Sequence, residues 1–501
     1  MWFYRFMKRF RIIFSLLVLI GITYLFTAVR VQNISWLSWL IKAQFIPALF
    51  ASLWVLAAIL LLTLLFGRIY CSWLCSMGVF QDVVIRLARL FKTKKQKRFR
   101  WTKEARLLRY TILTLIVALW IVGFTLPLLL FDPYSNYGRI AVHLFKPLIN
   151  FLNNGLHTLL PNTVYYHSYM PASLWGLLLP VVIFVVVAGM SVVRGRLFCN
   201  TVCPVGSVLG LISKFSVFRP TIDKDRCTHC GVCTFQCKAE CINNKTLEVD
   251  HSRCVACFNC TTACTQRGAM SYRFSWKRRS NPKNETRRAF LAAAGGVVGA
   301  AAIYQLSGGS SLAGASLQST VAPPGARSHA HLKKFCTACQ ACVAACPSRI
   351  IRPTVKGYGI DGWMLPALSF KEGFCSYNCN RCSEVCPTGA LERTTIEEKK
   401  RIRMGVAKFT PKICVVTTDR TDCGACDEHC PTKAIRLVPF GKSGLRRPQV
   451  DEAYCIGCGA CEFICPTTPK AIVVRAKTVH DAALPPVVEK QERVIADDFG
   501  F

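Results

Sequence analysis

The chain has 501 residues, 52% of them apolar and only 18% charged, with a positive mean hydropathy. This excludes a disordered chain and argues against an ordinary soluble globule, and the length suggests about three structural units. A net charge of +36 would ordinarily raise nucleic acid as a partner, yet residues 1–305 hold 37 Lys and Arg against 9 Asp and Glu, while residues 306–501 hold 26 against 18. The surplus lies beside apolar runs, so the expected partner is a lipid bilayer and not nucleic acid.

Four apolar stretches, at about 12–29, 45–66, 110–131 and 172–193, are long enough to cross a bilayer, because about 17–25 helical residues suffice and a helix satisfies its own backbone polar groups. Residues 1–210 are expected to form a four-helix transmembrane domain. Cytoplasmic loops collect Lys and Arg. The N-terminus carries Arg5, Lys8, Arg9 and Arg11, and 12 basic residues lie from Arg68 to Arg109. The first loop has Arg30 and Lys42, and the third, 132–171, has only Arg139 and Lys146. Both ends of this unit therefore face the cytoplasm of a multi-pass protein in the bacterial inner membrane. The stretch 139–159 is expected to lie in the interface as an amphipathic helix. Asp132, His143, His157 and His167 are candidate proton acceptors near the outer face.

Two of the spans end alike. Gly67-Arg68-Ile69-Tyr70-Cys71 continues to Cys75 and Gly78, and Gly195-Arg196-Leu197-Phe198-Cys199 continues to Cys203 and Gly206. Such duplication reads as an internal repeat. In a continuous helix, i and i+4 would place both thiols of each copy on one face. Cys71, Cys75, Cys199 and Cys203 are thus candidates for an additional redox or metal site, with Arg68 and Arg196 favouring thiolate.

Twenty-four of the 29 cysteines fall into six quartets. In the cytoplasmic segment 220–275, Cys227, Cys230, Cys233 and Cys237 have the spacing C-x2-C-x2-C-x3-C, and Cys254, Cys257, Cys260 and Cys264 repeat it. This is the bacterial run for [4Fe–4S] clusters, in which the fourth cysteine reaches the neighbouring cluster. The expected ligand sets are Cys227, Cys230, Cys233 and Cys264, and Cys254, Cys257, Cys260 and Cys237. Cys241 is left over.

Arg287-Arg288 before a weakly apolar run, 286–306, has the form of a twin-arginine export signal or a fifth transmembrane helix. A Gly/Ser/Ala/Pro-rich linker, 307–330, follows. The periplasmic domain, 331–480, carries four more quartets: Cys336, Cys339, Cys342 and Cys346; Cys375, Cys379, Cys382 and Cys386; Cys414, Cys423, Cys426 and Cys430; and Cys455, Cys458, Cys461 and Cys465. Residues 481–501 form a tail. Adjacent outer quartets exchange fourth ligands, or the first pairs with the last; spacing does not choose. Zinc sites usually present two separated C-x2-C pairs, and triplets of this kind have the wrong geometry for disulfides. The fold class expected is an α-helical transmembrane bundle plus small α+β ferredoxin-like domains of the bacterial 2[4Fe–4S] type.

These motifs carry two resemblances. Residues 1–275 resemble the NapH/NosR-type membrane ferredoxins, and residues 286–470 resemble the NapG/MauM-type exported ferredoxins, so the chain is similar to a fusion of the two. One departure is Ser76, where the first motif normally has proline. The six quartets give about six [4Fe–4S] clusters, and the resemblance implies a quinol dehydrogenase that takes electrons from the membrane quinol pool and feeds a periplasmic reductase or cytochrome. No Ser-His-Asp, P-loop or GxGxxG signature accompanies the cysteines. The competing expectation is an assembly or maturation factor, or a redox regulator, for an exported metalloenzyme.

Overall fold

A computed structural model of the chain describes residues 2–27, 39–93, 96–122, 124, 126–161, 166, 174–266, 268–274, 320–354, 357–359, 362–441 and 444–486. The expected signal at 286–306, most of the linker, residues 487–501 of the tail and His167 lie outside them.

Among the described residues two helices are long and apolar enough to cross a membrane: α1 (Trp2–Thr27) and, over Gly176–Arg194, α11. The other two expected spans are not continuous. After the short α2 (Trp39–Lys42), the stretch 45–66 divides into α3 (Phe45–Ala51) and α4 (Leu53–Phe66). Ser52 breaks it by turning extended (φ −155°, ψ 96°) while its N–H still caps the Ala48 carbonyl at 3.0 Å. Then come α5 (Tyr70–Trp73), the amphipathic α6 (Ser76–Phe91), α7 (Arg106–Ile121) and α8 (Leu126–Phe131). Pro127 has no N–H to donate and its ring clashes with the carbonyl four residues back, so 110–131 does not run through as one helix.

Asp132 starts α9 (Pro133–Ile140): its carboxylate accepts from the N–H of Tyr134 at 3.2 Å and of Ser135 at 2.9 Å, with proline at the first helical position. A π-turn, Ala141–Phe145, leads into α10 (Lys146–Leu159). The amphipathic expectation for 139–159 fits only α10, which exposes Leu148, Phe151, Leu152 and Leu159. Residues 133–143 are buried because they lie between α6, α11 and α1 on one side and the C-terminal unit on the other. The second repeat is α11 (Leu174–Arg194), α12 (Leu197–Thr201) and α13 (Pro204–Ser213). The two repeats interlock, α6 packing on α11 and α13 on α4.

The first ferredoxin-type unit is closed by β1 (Phe218–Ile222) pairing antiparallel with β4 (Met270–Phe274), from Phe218–Phe274 to Ile222–Met270. Between them lie the hairpin β2 (Ile242–Asn243) and β3 (Glu248–Val249), and α14 (Val232–Phe235) and α15 (Asn259–Ala263). The C-terminal unit adds the hairpin β5 (Ile351–Pro353) and β6 (Pro366–Leu368). It then repeats this plan once in full, with β8 (Ile435–Pro439) and β9 (Arg446–Val450) between β7 (Ile402–Phe409) and β10 (Ile472–Ala482). Short sheets of this kind bury little apolar area themselves, and cysteines contribute to each core, most heavily the one around Cys414, Cys426, Cys455, Cys461 and Cys465.

The two units meet opposite ends of α1. At its start, Tyr4 accepts from the Tyr272 N–H at 3.0 Å and Lys8 donates to Thr262 at 3.3 Å. At its other end, Phe26 lies against Gly138 beside the Cys339 carbonyl. A helix of 26 residues is about 39 Å long at about 1.5 Å per residue.

Candidate functional site

The cysteine loops share one backbone device. In each of the four runs with C-x2-C-x2-C spacing, the residues flanking the middle cysteine have positive φ: His229 and Gly231, Ala256 and Phe258, Ala338 and Gln340, Gly457 and Gly459. Left-handed residues alternating with right-handed ones turn successive N–H groups into a concavity that favours anions. Cys375–Cys382 and Cys423–Cys426 lack this: Asn380 has φ −126° and Gly424 φ −109°. Other N–H groups point at the sulfurs, Ala338 to Cys336 and Ala407 to Cys455 at 3.4 Å, and Leu391 to Cys386 and Ala434 to Cys430 at 3.3 Å.

Which thiols face one another is a matter of folding, not of sequence order. One cavity is lined by Cys336, Cys339, Cys342 and Cys386, another by Cys414, Cys423, Cys426 and Cys465. Cys346 is an electrostatic neighbour of Cys382 together with Cys375 and Cys379, and Cys430 of Cys461 together with Cys455 and Cys458. Adjacent C-terminal quartets therefore bring each one's fourth cysteine to the other's cavity. In the first unit a cavity is lined by Cys237, Cys254, Cys257 and Cys260, and Cys227 and Cys264 are neighbours of Cys233. Cys241 lines the former cavity too, its sulfur 3.4 Å from that of Cys237. That hydrogen bond holds the Cys237 thiol below its ordinary value, while burial pushes Cys339 and Cys458 up to about 12.

This arrangement fits a multi-iron cluster better than a single ion. Among the described residues no three His, Cys, Asp or Glu side chains converge on one metal position, as tetrahedral zinc demands. The thiols instead surround cavities, with N–H groups aimed at the sulfurs, one of the levers that tune iron–sulfur sites.

The C-x3-C repeats explain their own motif. Gly67 (φ +73°) and Gly195 (φ +65°) end α4 and α11 at positive φ, which glycine adopts freely. Each arginine then crosses to the other copy: Arg68 donates to the Cys199 carbonyl at 2.9 Å and Arg196 to the Cys71 carbonyl at 2.5 Å. A Cβ at Gly78 would overlap the Cys71 carbonyl, and one at Gly206 the Cys199 carbonyl. The expectation that both thiols of a copy share one continuous helix is corrected here. Cys71 lies in α5 and Cys199 in α12, whereas Cys75 and Cys203 are the extended residues before α6 and α13. Pro204 enforces the break in the second copy. Cys75, followed by Ser76, adopts nearly the same conformation (φ −68°, ψ 112°, against −66° and 118°).

The carboxylate of Asp82 organises the site's charge. It takes two bonds from Arg196, at 2.8 and 2.7 Å, one from Arg11 at 3.3 Å, and pairs with Lys238 of the first ferredoxin-type unit. Sequence reasoning missed it, although Asp82 is the only acidic residue among the first 103. The same unit also docks through Ser252, whose carbonyl accepts from Arg68 at 3.1 Å and Arg109 at 3.2 Å, and through Ala239, which accepts from Asn200 at 3.1 Å.

On the other side, α9 and α10 hold the C-terminal unit. Arg139 donates to the Ala338 carbonyl at 3.2 Å, Lys146 to Ala344 at 2.8 Å, and His143 bonds Gln340 at 3.3 Å. Of the candidate proton acceptors, Asp132 is thus a helix cap and His143 an interface residue, while the ring of His157 lies 6.0 Å from that of Tyr166, tilted by 60°.

Comparison with known proteins agrees with this chemistry. A 4Fe-4S binding domain model matches residues 47–98 and 177–222, and a 4Fe-4S dicluster domain model matches 335–390 and 419–468. The chain is 25% identical to an uncharacterized protein of Methanocaldococcus jannaschii, over 45% of this chain and 80% of that one. It is 29% identical to the ferredoxin-type protein NapF of Escherichia coli, over 27% and 74% respectively. It is also 29% identical to the methylamine utilization ferredoxin-type protein MauM of Methylobacillus flagellatus, over 36% and 76%. No solved structure matches. The chain carries 4Fe-4S ferredoxin-type domains and is an iron–sulfur electron-transfer protein.

Proposed function

We propose that this protein is the membrane-embedded electron-transfer part of a quinol dehydrogenase, handing electrons from the quinol pool to a reductase or cytochrome on the outer face. The observation that carries the reading is the seating of the two ferredoxin-type units at opposite ends of α1, on Tyr4 and on Phe26, about 33 Å apart along the helix. The charge of the loops supports a multi-pass arrangement with the first unit cytoplasmic and the second periplasmic. Bound in the cysteine cavities, [4Fe–4S] clusters supply one-electron chemistry.

The chain's own residues do the rest. The six ligand sets proposed are Cys227, Cys230, Cys233 and Cys264; Cys254, Cys257, Cys260 and Cys237; Cys336, Cys339, Cys342 and Cys386; Cys375, Cys379, Cys382 and Cys346; Cys455, Cys458, Cys461 and Cys430; and Cys414, Cys423, Cys426 and Cys465. Direct contacts link them in series. Lys238, next to Cys237, bonds through Asp82 to Arg196 at the C-x3-C repeats. Phe80 of α6 meets Tyr137 of α9 at 6.0 Å between ring centres, and the next residue, Gly138, touches Cys339. The Cys375 N–H donates to the Cys458 carbonyl at 2.9 Å, joining the two halves of the outer unit. The set containing Cys414 is then the last in line.

The test uses the full chain, purified anaerobically and reconstituted in liposomes with menaquinol. Bleaching of the iron–sulfur absorbance by menaquinol is expected. Bleaching by dithionite alone would refute the reading in favour of an assembly factor or redox regulator.

A further inference from the structure

We infer that Cys71, Cys75, Cys199 and Cys203 together hold one further iron–sulfur cluster, shared across the two C-x3-C repeats. Each copy supplies only two thiols, so neither holds such a group alone.

The first argument is proximity. All four cysteines are buried, none more than 4% exposed. One atom, Arg68 Nη2, lies 2.9 Å from the Cys199 carbonyl and 3.9 Å from Cys71 Sγ, so the copies meet there. Cys75 has Cys71 and Cys199 as electrostatic neighbours, and Cys203 has Cys199, Cys75 and Cys71. Donors already face the sulfurs: Gln81 Nε2 is 3.3 Å from Cys199 Sγ, and the Gly206 N–H is 3.3 Å from Cys203 Sγ.

The second argument is charge, and it is independent of the first. Arg68 is fully buried, yet its bonds go to Asn200, to Cys71 and to two carbonyls, not to a carboxylate, and its Nε is without a partner. Arg196, Arg11 and Lys238 are also buried there, with Asp82 as the carboxylate they share. A buried charge without a counter-charge costs several kcal/mol, so the site calls for an anion. Four thiolates around a [2Fe–2S] or [4Fe–4S] core in the oxidised state give a net charge of about −2. A single zinc ion does not fit, since no three of these thiols converge on one position.

The experiment is iron and acid-labile sulfide stoichiometry with EPR spin counting, on the full chain and on a Cys71→Ser/Cys199→Ser variant. Six quartets account for about 24 Fe per chain at four each. The parent chain is expected to hold about two to four more, and the variant to lose only that surplus with its EPR signal. A parent with about 24 Fe, or a variant with unchanged iron and spins, overturns the inference. The count on the parent decides even if the variant does not fold. The result is independent of quinol: absence of this cluster leaves reduction by menaquinol to be judged separately, and failure of quinol reduction leaves the count untouched.

Discussion

Asp82→Asn tests whether one carboxylate ties the first ferredoxin-type unit to the repeats. The substitution keeps size and shape but leaves Arg196, Arg11 and Lys238 facing one another, with side chains 0%, 6% and 6% exposed. Each pair at about 3 Å is worth roughly 5–6 kcal/mol of attraction at an effective dielectric of about 20. Desolvation offsets most of this, and breaking a buried network by removing one member typically costs about 3–5 kcal/mol. At about 2–4 °C per kcal/mol for units of this size, the midpoint should fall by about 6–20 °C. Burial alone would raise the Asp82 carboxyl, but Arg196 and Lys238 outweigh it and hold it well below the usual carboxylate range. Its contribution is therefore complete above about pH 4 and is lost as pH falls further. Burial already lowers Lys238 to about 8, and without Asp82 it falls further, so the variant sheds that buried charge as pH rises and the gap between parent and variant should narrow from pH 5 to 8. The assay is thermal loss of iron–sulfur absorbance in detergent, with limited proteolysis of residues 223–270 as a second readout. A variant melting within 2 °C of the parent, with the same protease protection, would refute the reasoning.

Three further outcomes are expected. Gly206→Ala pushes a methyl into the Cys199 carbonyl and to 2.8 Å from Arg68 Nη2, and should cost about 1–3 kcal/mol as overpacking, read as a lowered melting midpoint; Gly155→Ala, with open space around it, should not. Cys465→Ser should abolish the same EPR signal as Cys423→Ser and spare the one lost in Cys458→Ser, because Cys465 lines the cavity of Cys414, Cys423 and Cys426; loss of the Cys458 signal instead would reject the crossed pairing. Burial and the neighbouring His329 lower His480 to about 4, so the C-terminal unit should lose at most about 3 kcal/mol as pH falls from about 6.5 to 4, and His480→Gln should flatten that dependence in a melting series.

The six cysteine quartets, the duplicated Gly-Arg-aromatic-Cys motif and the basic loops are legible in the sequence because each depends on spacing along the chain. Thiols that wrap a single corner must be two residues apart, and a glycine that ends a helix must stand at its end.

What only the tertiary structure decided are relations between distant segments. Two apolar stretches of spanning length break, at Ser52 and ahead of Pro127, since length and hydropathy do not record backbone continuity. The exchange of Cys346 with Cys386, and of Cys430 with Cys465, is set by how the two halves of each unit close on one another. Arg68 and Arg196 crossing between repeats, and Asp82 drawing α1, the second repeat and the first ferredoxin-type unit together, come from electrostatics at short range in a buried place. Such contacts leave no periodicity in the chain, because their partners lie up to 156 residues apart.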